Sequence, residues 1–349
     1  MQAHKDYPLK KLTLFTVIFS LTSLSIVLPV EVSARTKNKG QQVEVDSQPD
    51  TMPSGPKQDI PYLLTVSAKG DVSTVQAMLD SGVSPNTKDA DDVSALMYAA
   101  RKDQAVVAQV LLSKGANVNA VDKGGWTALM FAAKKGYLAT SKVLLEKGAD
   151  PKIRDQSGWS AYGIAATSGF SEIINLMLSH GVDANAKTDD GKTALIYAAK
   201  SGDVATIATL LAHGADASAK DRLGATALMY AARAGFAPAV EVILDKGAKI
   251  DDVDHSDWTA LTWAVKKSRV DATQALLTSG ANPNHTDSEG TPLLQLATSN
   301  ESVKIVDLLL KSGANVKAKD QYGLTALVYA LKSRNTEIIK MLKDAGGSY

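Results

Sequence analysis

The stretch from Gly115 to Gly148 reads GANVNAVDKGGWTALMFAAKKGYLATSKVLLEKG. Its first and last glycines stand 33 residues apart, and this interval recurs without variation through most of the 349-residue chain. The glycines of the series are Gly82, Gly115, Gly148, Gly181, Gly214, Gly247, Gly280, Gly313 and Gly346. A constant period of this length predicts a stacked array of structural repeats, which presents an extended surface instead of a single deep pocket.

Most periods contain two short segments in which apolar residues have helical spacing. The first follows a hydroxyl residue such as Thr127, which suits a helix N-cap, and it carries paired alanines such as Ala132 and Ala133 that let neighbouring helices approach closely. The second, such as Val143–Leu145, precedes the recurring glycine, where a positive φ costs little. Each unit is therefore predicted to be two short antiparallel helices and a loop.

The loop between successive units carries an aspartate at nearly every period. The members are Asp89, Asp122, Asp155, Asp221, Asp254, Asp287 and Asp320. One carboxylate per unit leaves these residues too far apart to share an ion, which disfavours a calcium or catalytic role. We expect them to accept hydrogen bonds from the amides of their own turns.

These segments resemble the ankyrin repeat. The stretches Gly125–Ala133 and Leu144–Asp150 match that family's T-P-L-H-x-A core and the L-L-x-x-G-A-D start of its hairpin. The resemblance implies an all-α ankyrin-repeat solenoid of about nine 33-residue helix-turn-helix units with hairpin loops. Because other residues replace the family's histidine, the hairpins are expected to depend more on the aspartates. In the eighth unit, either a one-residue shift is compensated before Gly313 or Pro292 takes the Thr position.

Residues 1–34 have the pattern of a secretory signal peptide. Lysines at the start precede the uncharged run Leu12–Leu28, and Val32-Ser33-Ala34 fits the small-x-small rule before a cleavage point at Arg35. Because the apolar run is at the short edge for a membrane span, cleavage is favoured over an uncleaved signal-anchor. We expect a periplasmic or secreted protein, with tethering by a signal-anchor as the alternative.

Two segments follow the signal. Residues 35–58 are rich in Gln, Pro and Ser and are predicted to be a flexible linker. Residues 59–349 carry the period and are predicted to be the ankyrin-repeat domain. Its predicted repeats span about 59–88, 89–121, 122–154, 155–187, 188–220, 221–253, 254–286, 287–319 and 320–349.

The overall charge gives no indication of a nucleic-acid or membrane partner. The chain has 38 basic and 37 acidic residues and no cysteine. Removal of residues 1–34 deletes three basic and two acidic residues and leaves no net charge. This balance gives no reason to expect a nucleic-acid partner, or insertion into a membrane after signal cleavage. We expect a monomer.

Two adjacent columns near the end of the first helix are rich in cations. Those predicted to contact a partner are Arg101, Lys102, Lys134, Lys135, Lys200, Arg233, Lys266, Lys267 and Lys332. The resemblance places these columns in a concave groove. There the cations of successive units, about 10 Å apart, would attract an acidic protein surface. The alternative is that each cation only stabilises the C-terminal end of its own helix.

A further column, directly before the N-cap, contains Trp126, Trp159 and Trp258. Tryptophan is a common interface anchor, so these residues are also predicted to contact a partner. The alternative is that they stack on neighbouring hairpins. The column of Tyr98, four residues after the N-cap, is expected to pack along the stack.

The sequence shows no nucleophile elbow, no Gly-rich phosphate loop and no clustered carboxylates. No enzyme activity, catalytic residue, cofactor or metal is therefore predicted, and an enzyme or small-ligand binder would require a closed pocket. We predict a non-catalytic scaffold, stabiliser or inhibitor that binds a protein partner of unknown identity after export, through the groove and the hairpin tips. The alternative is an exported effector or toxin-neutralising protein that acts outside its own cell.

Overall fold

The computed structural model describes residues 61–348. The predicted signal peptide and linker lie outside the described residues and stay predictions. Within 61–348, eighteen α-helices follow one another in nine pairs. They are α1 Tyr62–Lys69, α2 Val72–Asp80, α3 Ala95–Ala100, α4 Ala105–Ser113, α5 Ala128–Lys135, α6 Leu138–Glu146, α7 Ala161–Ser168, α8 Ser171–Ser179, α9 Ala194–Ser201, α10 Val204–Ala212, α11 Ala227–Ala234, α12 Ala237–Asp245, α13 Ala260–Lys266, α14 Val270–Thr278, α15 Leu293–Ser299, α16 Val303–Lys311, α17 Ala326–Ser333 and α18 Thr336–Asp344.

The helices pack in two layers. The first helix of each unit contacts the first helix of the next, as α9 contacts α11 and α11 contacts α13, while α10 contacts α12 in the second layer. The paired alanines Ala231 and Ala232 are completely buried, as expected where helices approach closely. Only isolated bridges, and no strands, occur in the described part of the chain, which confirms the all-helical solenoid.

The hydroxyl residues cap the first helices as predicted. The Thr127 side chain accepts a 3.2 Å hydrogen bond from the Met130 amide, and equivalent bonds form at the other positions. Thr325 differs, because its hydroxyl donates to the Ser348 carbonyl at 2.8 Å. In the eighth unit Pro292 is the N-cap residue of α15, so Pro292 takes the Thr position.

The recurring glycines end the second helices in the left-handed region. Every member of the series has a positive φ, from 80° at Gly181 to 95° at Gly82. This confirms the reason for the period, because only glycine adopts that conformation without steric cost.

Asparagine side chains join successive loops. The Asn185 carboxamide donates to the Gly214 carbonyl at 3.1 Å and accepts from the Asp216 amide at 2.7 Å. The same pair of bonds occurs at Asn86, Asn119 and Asn284. One side chain thus satisfies a backbone donor and a backbone acceptor of the next unit, a contact that sequence reasoning did not identify.

Candidate partner-binding surface

Most hairpins are built around an aspartate. Asp221 Oδ1 accepts bonds of 2.9 Å from the amides of Leu223 and Ala225, and Asp221 Oδ2 accepts a bond of 2.8 Å from the Tyr230 hydroxyl. Asp89 with Tyr98, Asp320 with Tyr329 and Asp254 with the Trp263 indole repeat the arrangement. The expected bonds to turn amides are confirmed, and the tyrosine hydroxyls are directed to these carboxylates.

This network changes the acidity of its members. Burial and, to a smaller extent, the hydrogen bond to Asp89 together raise the pKa of Tyr98 to about 12. The same two causes raise the pKa of Tyr230. In the next unit Phe131 has no hydroxyl to offer Asp122, and burial raises the pKa of Asp122 although the Trp126 and Gly124 amides oppose the shift.

The structure buries two of the three tryptophans predicted to contact a partner. Trp126 is 2% exposed, and its ring centroid lies 5.0 Å from that of Phe131. Trp159 is 6% exposed, and its ring centroid lies 4.8 Å from that of Tyr197. The prediction that these two side chains are accessible anchors is wrong, because the hairpin base packs them into the stack. Gly163 makes room for the second ring, since a Cβ there would stand 3.2 Å from Trp159. Trp258 is half-buried against Trp263.

The cationic columns occupy the ends of the first helices, where the sequence placed them. Lys134 and Lys135 lie in the last turn of α5, Arg233 in that of α11 and Lys266 in that of α13. We call the surface of these columns the basic face, and its members are Arg101, Lys102, Lys134, Lys135, Lys200, Arg233, Lys266, Lys267 and Lys332. Their position suits both helix-end stabilisation and partner contact.

Five members of the basic face lie over aromatic rings. Arg101 lies 4.9 Å from the Phe131 centroid, and Arg233 lies 4.6 Å from that of Trp263. Lys134 lies over Trp126 at 5.6 Å, Lys266 over Trp258 at 5.9 Å and Lys332 over Tyr329 at 5.5 Å. Such cation–π contacts stabilise by about 0.5–1 kcal/mol at exposed sites and restrict the position of the charge.

The first two units of the basic face enclose a cleft of about 140 Å³. Its lining residues are Tyr98, Arg101, Lys102, Phe131, Lys134, Lys135 and Tyr137. Cations form the rim and aromatic rings contribute apolar surface, so the cleft suits an anionic group attached to an apolar stem.

Two exposed hairpin-tip residues were missed by sequence reasoning. Leu223 is 66% exposed and Tyr322 is 74% exposed, and each stands two residues after its hairpin aspartate. The same column holds Gly124, Ser157 and Ser256 in other units. A large apolar residue in this polar column was the available signal, and Leu223 and Tyr322 now join the candidate contact residues.

Within residues 61–348, no helix has the length and apolar character that a membrane span requires. No group of three or more metal-ligating side chains was found there either.

Comparisons with known proteins agree with the geometry. A family model described as "Ankyrin repeats (3 copies)" matches residues 63–155, 147–221, 210–287 and 274–348. The crystal structure of the human ASB11 ankyrin repeat domain is similar, with a TM-score of 0.58 and 28% sequence identity, over 64% of this chain and 99% of that chain. No curated protein matches.

Proposed function

Because the chain belongs to the ankyrin repeat family, whose repeats generally mediate protein–protein interaction, we propose that it binds an acidic protein partner through the basic face and the hairpin tips. The observation that carries this proposal is the placement of five cations over aromatic rings along one side of the solenoid. A charge that is already held in position loses less side-chain entropy when it pairs with a carboxylate. A row of such charges also steers an acidic partner during encounter.

We further propose that the protein acts after export, without catalysis, as a scaffold, stabiliser or inhibitor of its partner. The fold is one that typically serves as a non-catalytic interaction scaffold. The basic start and apolar run of residues 1–34 support export. N-terminal sequencing of the mature protein should begin at or near Arg35, and recovery of a soluble chain that begins at Met1 contradicts export.

Affinity capture from the exported fraction, with the purified mature chain as bait, tests the binding proposal. Charge reversal by Arg233→Glu with Lys266→Glu should slow association with the captured partner and reduce the salt dependence of the rate. Lys304→Glu with Lys340→Glu is the matched control, because these exposed lysines lie on second helices, away from the basic face. Equal association of all three proteins, in low and high salt, contradicts a role for the basic face.

The hairpin tips call for a separate measurement. Leu223→Ser with Tyr322→Ser should raise the dissociation rate, because loss of an apolar anchor acts mainly on the lifetime of a complex. An unchanged dissociation rate would remove the tips from the contact surface.

A further inference from the structure

The basic face contains the same four-residue cluster twice. Each cluster has an arginine over one aromatic ring, a lysine over a second ring, and contact between the two rings. The first stack is Arg101, Trp126, Phe131 and Lys134, and the second stack is Arg233, Trp258, Trp263 and Lys266. Every residue of the second stack follows its counterpart by 132 positions, which is four 33-residue repeats.

The two stacks also share their geometry. The arginine lies 4.9 Å from its ring centroid in the first stack and 4.6 Å in the second, and the corresponding lysine distances are 5.6 Å and 5.9 Å. The ring centroids within each stack are 5.0 Å and 4.6 Å apart. A second lysine, Lys135 or Lys267, directly follows the stacked one in both copies.

The units between the stacks do not repeat this arrangement. The fourth unit has Thr167 and Ser168 in the two cationic columns, and the fifth has Lys200 followed by Ser201. The basic face is therefore two patches of similar chemistry with a less charged stretch between them. General stabilisation of helix ends acts on each helix separately and gives no reason for complete clusters to recur four units apart.

The chemistry of each stack favours carboxylates. A guanidinium binds a carboxylate through its edge N–H groups, in bidentate fashion, and can do so while its carbon lies over a ring. Cations beside aromatic rings also occur where proteins bind single-stranded nucleic acid, but there the bases stack on open ring faces. Trp126 and Phe131 are buried and offer no such face, while Trp258 and Trp263 are half-buried, so an acidic polypeptide is the better fit for a ligand that binds both stacks.

We infer that the two stacks are equivalent subsites for two acidic segments of one protein partner. This inference rests on the proposed function and specifies the partner. With helices packed about 10 Å apart, four repeats separate the subsites by about 40 Å along the solenoid. A partner that reaches both gains affinity from effective concentration without any new type of contact.

Fluorescent oligo-glutamate peptides of two lengths test the inference on the full chain. A peptide of about 8 residues spans at most about 28 Å and can reach one stack, whereas about 24 residues span about 80 Å and can reach both. The short peptide should bind with two per chain, and the long one with one per chain and at least about 10-fold greater affinity. A single site for the short peptide, or no gain with length, overturns the inference.

Variants assign the sites. Arg101→Glu with Lys134→Glu, and separately Arg233→Glu with Lys266→Glu, should each reduce the short-peptide stoichiometry from two to one and remove the gain with length. The corresponding Gln variants remove charge with less disturbance and should act in the same direction if a Glu variant unfolds. Lys304→Glu with Lys340→Glu should leave both peptides unaffected, and loss of one site in that control overturns the assignment.

Two further results separate this inference from the proposed function. Oligo-uridylate of about 24 nucleotides that binds the stacks as tightly as the long peptide overturns the acidic-protein assignment. A captured partner that is sensitive to only one stack overturns the two-subsite inference and leaves the proposed function intact. A partner that is insensitive to both overturns binding through the basic face.

Discussion

Tyr230 donates a hydrogen bond of 2.8 Å to Asp221, which stands nine residues earlier at the start of the same unit. The other carboxylate oxygen of Asp221 organises the hairpin, so this one phenol connects the hairpin to the first helix. Tyr230→Phe should lower the free energy of unfolding by about 1–2 kcal/mol, because a charged acceptor loses its donor. Urea denaturation measures the change, and an unchanged midpoint contradicts a stabilising bond.

Phe131→Tyr is the reciprocal change. Asp122 lacks the side-chain donor that Asp221 and three of its other counterparts have, and its pKa is raised by burial. A hydroxyl at residue 131 should reach Asp122 as Tyr230 reaches Asp221, lower the pKa of Asp122 and stabilise the fold by about 1 kcal/mol. Carboxyl titration by NMR, together with denaturation, checks both effects, and a higher pKa for Asp122 would show that the new hydroxyl points elsewhere.

Alkaline pH should weaken the fold through its buried phenols. The pKa of Tyr98 is raised to about 12 in the folded protein, from an ordinary value near 10. The contribution of Tyr98 to stability is therefore complete below about pH 10 and is lost as the pH rises toward about 12, because the unfolded chain releases the proton first.

The difference in unfolding free energy between the natural protein and Tyr98→Phe should therefore be constant from about pH 8 to 10 and shrink above that range. Tyr322→Phe, at an exposed hairpin tip, controls for the loss of a tyrosine. A difference that stays constant up to about pH 12 contradicts this use of the Tyr98 phenol.

Asn185→Ala removes both bonds that cross to the next unit, at Gly214 and Asp216. Because the bonds are exposed, we expect a loss of about 1 kcal/mol. Neighbouring units stabilise one another in a stacked array, so hydrogen exchange should accelerate in α8–α10 before the ends of the array are affected. Uniform acceleration along the described chain would argue against nearest-neighbour coupling.

The left-handed residue after the first helix gives a pair of opposite predictions. Gly202 has φ of 77°, and a Cβ there would stand 2.5 Å from the Phe236 ring, so Gly202→Ala should cost more than about 1 kcal/mol. Glu301 occupies the equivalent position in the eighth unit with φ of 54°. Glu301→Gly should stabilise by up to about 1 kcal/mol, because relief of backbone strain exceeds the added chain entropy. Thermal unfolding should therefore show a lower melting temperature for Gly202→Ala and a higher one for Glu301→Gly.

The local rules of the chain were readable from the sequence. The interval between Gly115 and Gly148 predicts the stack, Thr127 predicts a cap, and Asp122 predicts a hairpin that uses its own amides. The cap and the hairpin each depend on residues within a few positions of one another, so the local sequence determines their conformation, and the constant interval shows that the same unit recurs. At Pro292 the local pattern is compatible with both alternatives, a shifted register and replacement of Thr by Pro, so only the structure decides between them.

Accessibility and pairing between units were decided only by the tertiary structure. Trp126 and Trp159 have the composition of contact residues, but the stack covers their rings. Arg101 and Phe131 are thirty residues apart, and only the packing of α3 against α5 places the cation over the ring. The sequence by itself determined what each unit is, because a unit is held by contacts close along the chain. What a unit shows to a partner depends on which surfaces its neighbours bury, and that follows from how successive units are stacked.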